Sequence, residues 1–487
     1  MINRRTFMGS ALGAAAGATL SCGVAKRDKR PNVVFILTDD QRWDAMSCVE
    51  HPFMPELKTP NLDRIAHEGV RFSNAFCTTS LCSPARASYL SGLYGHTHGV
   101  QNNFTDFPAN LPSYPRALHD AGYETAYIGK WHMGEDKSDP RPGFDYWASH
   151  KGQGTYYDNT FNINGKDQFL KGYYTTRVTE LAVDWLKKPH SKPFLMILGQ
   201  KAPHGTWTAE PKYEHALDNV PIHRPATAEN TGDGKPAWVK ERVPTWHGID
   251  GPLYGLNDYT KFVRTYLETI MSVDDSVGQI YDTLRASGEL DNTLLMFATD
   301  NGWMMGEHGA IDKRTMYEES IRVPLLARYP EVIRNPVVNS KMVLNIDVAP
   351  SILDICGVPP LPKTHGVSWK PLINNADAPW RKAWYYEYNY EEQFPYTPNV
   401  RGVRTEEWKY VHYPNGDNGP DKYVAELYNL KDDPLETKTL IDSPDQKPRV
   451  EELKAELVRL QQETGALPDH MPVNPQMKMI LPDQKIR

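Results

Sequence analysis

Four short stretches of the chain have strand length and strand composition: residues 33–38 (VVFILT), 124–128 (ETAYI), 194–198 (FLMIL) and 293–299 (TLLMFAT). Apolar residues that run on rather than alternate predict strands of a sheet covered on both faces. Each stretch stops abruptly at polar residues. These are Asp39-Asp40, Gly129-Lys130-Trp131-His132, Lys201-Ala202-Pro203-His204 and Asp300-Asn301-Gly302. Between the strands lie helical patterns, clearest where Phe262, Tyr266, Ile270, Val273, Val277, Ile280 and Leu284 recur at spacings of three and four before Gly288, a helix stop. Strands alternating with helices predict an open, mostly parallel α/β sheet covered by helices. Ligands of such sheets bind at the carboxyl ends of the strands, so four polar clusters at four strand ends point to an enzyme site.

The texture changes beyond Leu372. Short aromatic runs at residues 383–390 and 408–413, turns at Asn415-Gly416 and Asp432-Asp433-Pro434, and a helix carrying Val450, Leu453, Leu457 and Leu460 on one face predict a smaller C-terminal α+β unit over residues 373–487. Residues 32–372 form the expected catalytic domain. The start of the chain reads as an export leader over residues 1–22: a basic region with Arg4-Arg5 is followed by a small and apolar run too short to span a bilayer. Arg4-Arg5-Thr6-Phe7 resembles a twin-arginine signal. Leu20-Ser21-Cys22-Gly23 resembles a lipoprotein cleavage box, with Thr19 where that box carries Leu, so lipidation of Cys22 and plain leader cleavage both stand open. Residues 23–31 read as a solvated tether. The expected location is the periplasm, or the outer membrane if Cys22 is lipidated.

Composition narrows this little further. The 487 residues are 40% hydrophobic and 24% charged, values of an ordinary globular chain, and the net charge of −7 without a long basic run argues against a nucleic-acid partner. Five cysteines at irregular spacing support neither a disulfide scaffold nor a CxxC zinc site. Cys48, Cys77 and Cys356 are expected to be small buried apolar groups.

Asp39, Asp40, Asp300 and Asn301 are hard oxygen ligands, suited to Ca²⁺ or Mg²⁺ rather than zinc. Adjacent acids alone are more often a cap or a solvated turn, and the second acidic cluster after another apolar strand shifts the reading toward metal. Cys82 lies in Thr79-Ser80-Leu81-Cys82-Ser83-Pro84-Ala85-Arg86, followed by Leu90-Ser91-Gly92. On position alone it is either a thiol whose pKa is lowered by a helix N-terminus or a buried structural cysteine. The stretch from Cys82 to Arg86 resembles the Cys-x-Pro-x-Arg signature of type I sulfatases, in which the cysteine is oxidised after translation to formylglycine. The clusters at Asp39-Asp40, Lys130-Trp131-His132, Ala202-Pro203-His204, Asp300-Asn301 and Lys313 follow in the order of that family. The resemblance covers nearly the whole mature chain.

It implies an alkaline-phosphatase-like α/β fold with a smaller C-terminal domain, a maturation enzyme that generates formylglycine, and one Ca²⁺ bound by Asp39, Asp40, Asp300, Asn301 and residue 82. It further implies a hydrated aldehyde whose first hydroxyl attacks sulfur and whose second expels sulfate, covalent catalysis with a built-in exit. In that scheme His132 is the base of the elimination. His204 and Lys313 contact the sulfate or protonate the leaving oxygen, and Lys130 and Arg86 hold the oxygens of residue 82 and the sulfate charge. Each also has a plainer reading, as a hydrogen-bonded structural histidine or a partner of the metal carboxylates. Trp303 and His308 either line the pocket or serve a structural loop.

Residues 264–330, Lys192-Pro193-Phe194 and Trp207-Thr208-Ala209 resemble the N-acetylglucosamine-6-sulfatase branch, pointing to carbohydrate sulfate esters of a glycosaminoglycan; exported sulfatases acting on algal polysaccharides such as ulvan have similar cores. Two other classes stand beside this one: a phosphohydrolase of the same superfamily, and a lipid-anchored glycan-binding protein in which Cys82 is never converted.

Overall fold

The computed structural model describes residues 30–232, 234–375, 377–414 and 425–470. The export leader, Cys22, most of the tether and the Asn415-Gly416 turn lie outside these residues. No helix among the described residues is long and apolar enough to cross a membrane.

A ten-stranded sheet forms the centre, in the order Val337–Asn339, Val70–Phe72, Leu325–Arg328, Thr293–Thr299, Asn32–Thr38, Phe194–Gly199, Glu124–Gly129, Tyr146–Ser149, Tyr157–Ile163 and Lys166–Tyr173. The four strands expected from the sequence are its four adjacent middle members, parallel to one another, with Tyr146–Ser149 continuing the parallel run. Toward both edges the sheet turns antiparallel, so the whole is mixed. The outer strand Lys166–Tyr173 is largely exposed, and its apolar content is too low for a continuous-run pattern to reveal it.

The unbroken apolar texture of the middle strands follows from burial on both faces. Val34, Ile36, Met196, Leu198, Leu295 and Phe297 point into one core together with Phe262, Tyr266, Ile270 and Val273 of the helix Tyr259–Ala286. Their neighbours Val33, Phe35, Leu37, Leu195, Ile197, Leu294 and Met296 point into a second core with Leu118, Val348 and Ile352. Each such side chain contributes about 1.5–3 kcal/mol by leaving water. The long helix begins where the Asp258 carboxylate accepts from the Lys261 amide at 2.9 Å, and it ends before Gly288, whose φ of +73° suits glycine.

A four-stranded antiparallel sheet, Ala383–Tyr388, Val400–Thr405, Trp408–His412 and Glu426–Asn429, follows toward the C-terminus. The helix Lys447–Thr464 buries Val450, Leu453, Leu457 and Leu460 in the core that includes this sheet's Trp384, Tyr386, Val403 and Tyr410.

Candidate active site at the strand ends

The parallel register delivers all four polar clusters to one end of the sheet. Asp39 and Asp40 leave the strand Asn32–Thr38, and Asp300 and Asn301 leave its neighbour Thr293–Thr299, with the Asp300 amide donating to the Thr38 carbonyl at 3.2 Å. On the other side the Asp39 amide donates to the Ala202 carbonyl at 3.3 Å and the Lys130 amide to the Gly199 carbonyl at 2.8 Å. Asp40 and His132 hold positive φ, 63° and 47°. Such conformations cost energy outside glycine and persist where the surroundings enforce them. Tyr266 of the long helix helps here: its hydroxyl donates to the Asp40 carbonyl at 2.9 Å and accepts from the Arg42 amide at 2.8 Å.

Cys82 opens the helix Cys82–Ser91 and is fully buried, with Pro84 in the first turn. Its Sγ lies 3.5 Å from Asp39 Oδ1 and accepts from Lys313 Nζ at 3.2 Å. The thiol is not lowered, as a helix N-terminus by itself would have it: burial and then the Asp39 charge push it well above the usual cysteine value, against the pull of Lys313. An unmodified thiol here is therefore a poor nucleophile.

Ligand atoms of Asp39, Asp40, Cys82 and Asp300 all lie within 4.8 Å of one another. Burial and then the like charges of Asp39 and Asp300, opposed by Lys313, raise Asp40 to about 7, and burial and then Asp39 raise Asp300 to about 6. Asp39 moves the other way: burial opposes its charge, but Lys130 and then Arg86 and Lys313 outweigh it. Asp40 Oδ2 and Asn301 Oδ1 are buried without a hydrogen-bond donor, while Asn301 Nδ2 donates to Asp40 Oδ1 at 2.7 Å. Converging carboxylates with orphaned hard oxygens fit a divalent cation of the Ca²⁺ or Mg²⁺ kind.

The cations are arranged around these acids. Arg86 Nε donates to Asp300 Oδ2 at 2.9 Å and Nη2 to Asp39 Oδ2 at 3.2 Å, while Nη1 donates to the Lys130 carbonyl at 2.8 Å. Its fork is thus spent on the carboxylates and the backbone. Lys130 Nζ donates to Asp39 Oδ2 and Gln153 Oε1, and Lys313 Nζ to Asp40 Oδ1. Trp303 lies under Lys313, its ring centroid 5.3 Å from Nζ.

The two histidines differ. Among the described residues neither ring nitrogen of His132 has a hydrogen-bond partner, and Glu135 Oε2 stands 3.9 Å from Nε2. Burial and then Lys130 hold the ring neutral, well below the usual histidine range. His204 Nδ1 donates to the Gly205 carbonyl, which leaves Nε2 beside Asp40 Oδ2 at 3.7 Å; this ring too is held neutral by burial and Lys130.

His308 is elsewhere. Its ring stacks on Tyr317 at 4.1 Å and pairs with Asn230 at 3.2 Å, beneath the C-terminal sheet. Cys77 and Cys356 are buried, whereas Cys48 is only half-buried. Sequence reasoning passed over Gln153, which lies in a loop without motif, and gave no role to Lys201, although its run was among the strand-end clusters. Lys201 is buried at the end of the strand Phe194–Gly199, with Nζ 5.2 Å from the centroid of the Tyr156 ring. The Tyr156 hydroxyl donates to the His204 carbonyl at 2.9 Å.

Residues 31–358 match the sulfatase family, and residues 306–463 match the C-terminal region of N-sulphoglucosamine sulphohydrolase. An N-acetylglucosamine-6-O-sulfatase of Bacteroides thetaiotaomicron is 34% identical, over 92% of this chain and 89% of its own. The human N-acetylglucosamine-6-sulfatase is 35% identical, over 76% of this chain and 69% of its own. A solved structure in complex with its substrate, D-glucosamine-2-N,6-O-disulfate, superposes with a TM-score of 0.83 at 32% identity, covering 90% of this chain and 99% of that one. With the family match spanning the whole sheet and its strand-end site, the chain belongs to the sulfatase family, the hydrolases of sulfuric esters.

Proposed function

We propose that this sulfatase hydrolyses sulfate esters on the carbohydrates of a sulfated polysaccharide, with the 6-sulfate of a glucosamine-type sugar as the favoured ester. The observation that carries the reading is the meeting of Cys82 with Asp39, Asp40 and Asp300 at the ends of adjacent strands, in a chain 34% identical to an N-acetylglucosamine-6-O-sulfatase over most of both lengths.

In this reading Asp39, Asp40, Asp300, Asn301 and residue 82 hold Ca²⁺, which supplies positive charge to the sulfate oxygens and to the oxygen of residue 82. A maturation enzyme converts Cys82 to formylglycine, whose hydrate supplies two hydroxyls where a serine supplies one. The remaining work belongs to the chain itself. Arg86 fixes the carboxylates of Asp39 and Asp300 against each other. Lys313, bonded to residue 82, and Lys130, bonded to Asp39 beside it, bring positive charge to the site and so favour an anion there. His132, neutral and with both nitrogens unspent, takes up a proton beside residue 82. The Gly205 carbonyl takes the Nδ1 proton of His204 and so turns Nε2 toward the site, where it must first take up a proton before it can protonate the leaving sugar oxygen. The leader with Arg4-Arg5 supports an exported protein, and the Cys22 box supports an outer-membrane anchor if it is lipidated.

The test is sulfate release by the matured, Ca²⁺-loaded protein from N-acetylglucosamine-6-sulfate, glucosamine-2-N,6-O-disulfate, isomers sulfated at other positions and ulvan fragments. The 6-sulfated glucosamines are expected to be desulfated fastest. Preference for ulvan fragments would move the substrate to the algal class. Phosphate release from phosphomonoesters without any sulfate release would overturn the reading, as would an intact thiol at Cys82 in fully active protein.

A further inference from the structure

Lys201 is a buried cation whose place in the site has no counterpart in the roles given above. It follows the strand Phe194–Gly199, which lies between the strand that delivers Asp39 and the strand that delivers Lys130. The backbone binds it on both sides: the next residue's carbonyl accepts from the Asp39 amide, and Gly199 two residues earlier accepts from the Lys130 amide. Lys201 is only 3% exposed. Its ammonium lies 5.2 Å from the centroid of the Tyr156 ring, whose hydroxyl donates to the His204 carbonyl at 2.9 Å, so the side chain stands at the His204 end of the site.

Every other cation of the pocket is hydrogen-bonded to an acid. Arg86 is bonded to Asp39 and Asp300, Lys130 to Asp39 and Lys313 to Asp40. Three carboxylates therefore meet three cations, and Lys201 stands outside those pairs. Its ammonium has no hydrogen bond or ion pair to any described residue; the Tyr156 ring covers one side, and a ring face offers no oxygen acceptor. An ammonium held away from acceptors loses its proton more easily, and burial and then Lys130 lower Lys201 to about 7; an oxyanion is the acceptor that holds the charged form most strongly.

We propose that Lys201 is a substrate-binding residue whose ammonium donates to a non-bridging oxygen of the sulfate group seated among Lys130, His204 and residue 82. The Tyr156 ring holds the lysine stem in place and, through its hydroxyl, the His204 carbonyl three residues on. One side chain thereby ties the sulfate-binding cation to the histidine that serves the leaving oxygen.

The proposal rests on the sulfatase reading, and its first test needs no turnover. Binding of inorganic sulfate to the matured, Ca²⁺-loaded protein is measured by titration calorimetry for the wild type, Lys201→Met and Lys201→Arg. Lys201→Met is expected to weaken sulfate binding by about tenfold or more, while Lys201→Arg stays within about threefold of wild type, with calcium content and melting temperature unchanged. With a cleavable 6-sulfated sugar, the Met variant should lose more in KM than in kcat. Wild-type sulfate affinity in Lys201→Met would overturn the proposal, and so would a wild-type protein that binds no sulfate. Should Lys201→Met fail to fold, Lys201→Gln, which keeps a donor and loses the charge, is read against the same thresholds. Sulfate binding that depends on Lys201 in a protein that desulfates no sugar would overturn the substrate reading alone.

Discussion

Cys82 is enclosed by a carboxylate and an ammonium, in a position where burial and then the Asp39 charge keep a thiol protonated. In the proposed mechanism the residue acts once it is converted to formylglycine. Cys82→Ala is accordingly expected to lower sulfate release by about a thousandfold or more, the scale of losing a covalent nucleophile. The melting temperature should stay close to wild type, because only Sγ and its two contacts are lost. Activity within tenfold of wild type would remove the residue from the chemistry. At this scale the strand-end acids and cations were legible because each motif is a local run of residues. Their pairing was not. That Arg86 spends its fork on Asp39 and Asp300, or that Lys130 reaches Gln153, depends on side chains far apart in sequence meeting at one sheet end.

Among elements, the four middle strands and the helix Tyr259–Ala286 could be read from periodicity because each is buried continuously or along one stripe. The antiparallel edge strands could not, since exposed strands such as Lys166–Tyr173 carry little apolar signal. A less visible junction lies at the short helix Gly95–His98. There His96 Nδ1 pairs with Glu387 of the strand Ala383–Tyr388 at 3.0 Å, and Nε2 donates to the Thr464 carbonyl at the end of the C-terminal helix at 3.0 Å. Burial opposes the charged ring, but Glu387 and the Thr464 carbonyl outweigh it and Arg401 only partly offsets them, so His96 sits above its ordinary 6.5. Glu387, despite burial, is held down to about 2, chiefly by His96. The raised histidine stabilises the fold fully below pH 6.5 and stops doing so as pH rises through its folded value. The lowered glutamate does so fully above pH 4.5 and stops as pH falls toward 2. His365 nearby is held at about 4, by burial and His96, and stays neutral across the upper window. His96→Gln should therefore cost about 1–2 kcal/mol at pH 5.5 and distinctly less at pH 8.5. Thermal melts at both values check this, and an equal loss at both would count against the linkage.

For the molecule as a whole, the C-terminal sheet is part of the structure that carries the site. Trp384, Tyr386, Val403 and Tyr410 share one buried cluster with Phe76, Leu81, Met316, Ile321 and Leu344 of the preceding chain. Lys409 Nζ pairs with Glu318 at 2.9 Å and with Glu436 at 2.7 Å, both buried. Leu81 directly precedes Cys82, so the cover of this cluster is also the support of the residue at the centre of the site. A chain ending at residue 372 would expose that apolar face and strip Glu318 of its partners Arg404 and Lys409. Such a chain is expected to be insoluble or to lack a cooperative melt. A soluble, cooperatively melting fragment would show that the catalytic sheet folds alone.

The sequence by itself determined which segments become the middle strands, where each ends, and which chemistry stands at those ends, because burial on two faces and a polar strand end are written in consecutive residues. The tertiary structure alone decided the rest. Strand order brings Lys130 to Asp39 across 91 residues and Lys313 to Asp40 across 273, and it sets Lys201 at the end of the strand between those of Asp39 and Lys130. Those meetings depend on the register and twist of a folded sheet and on what each buried charge finds beside it, and no local pattern of residues carries that information.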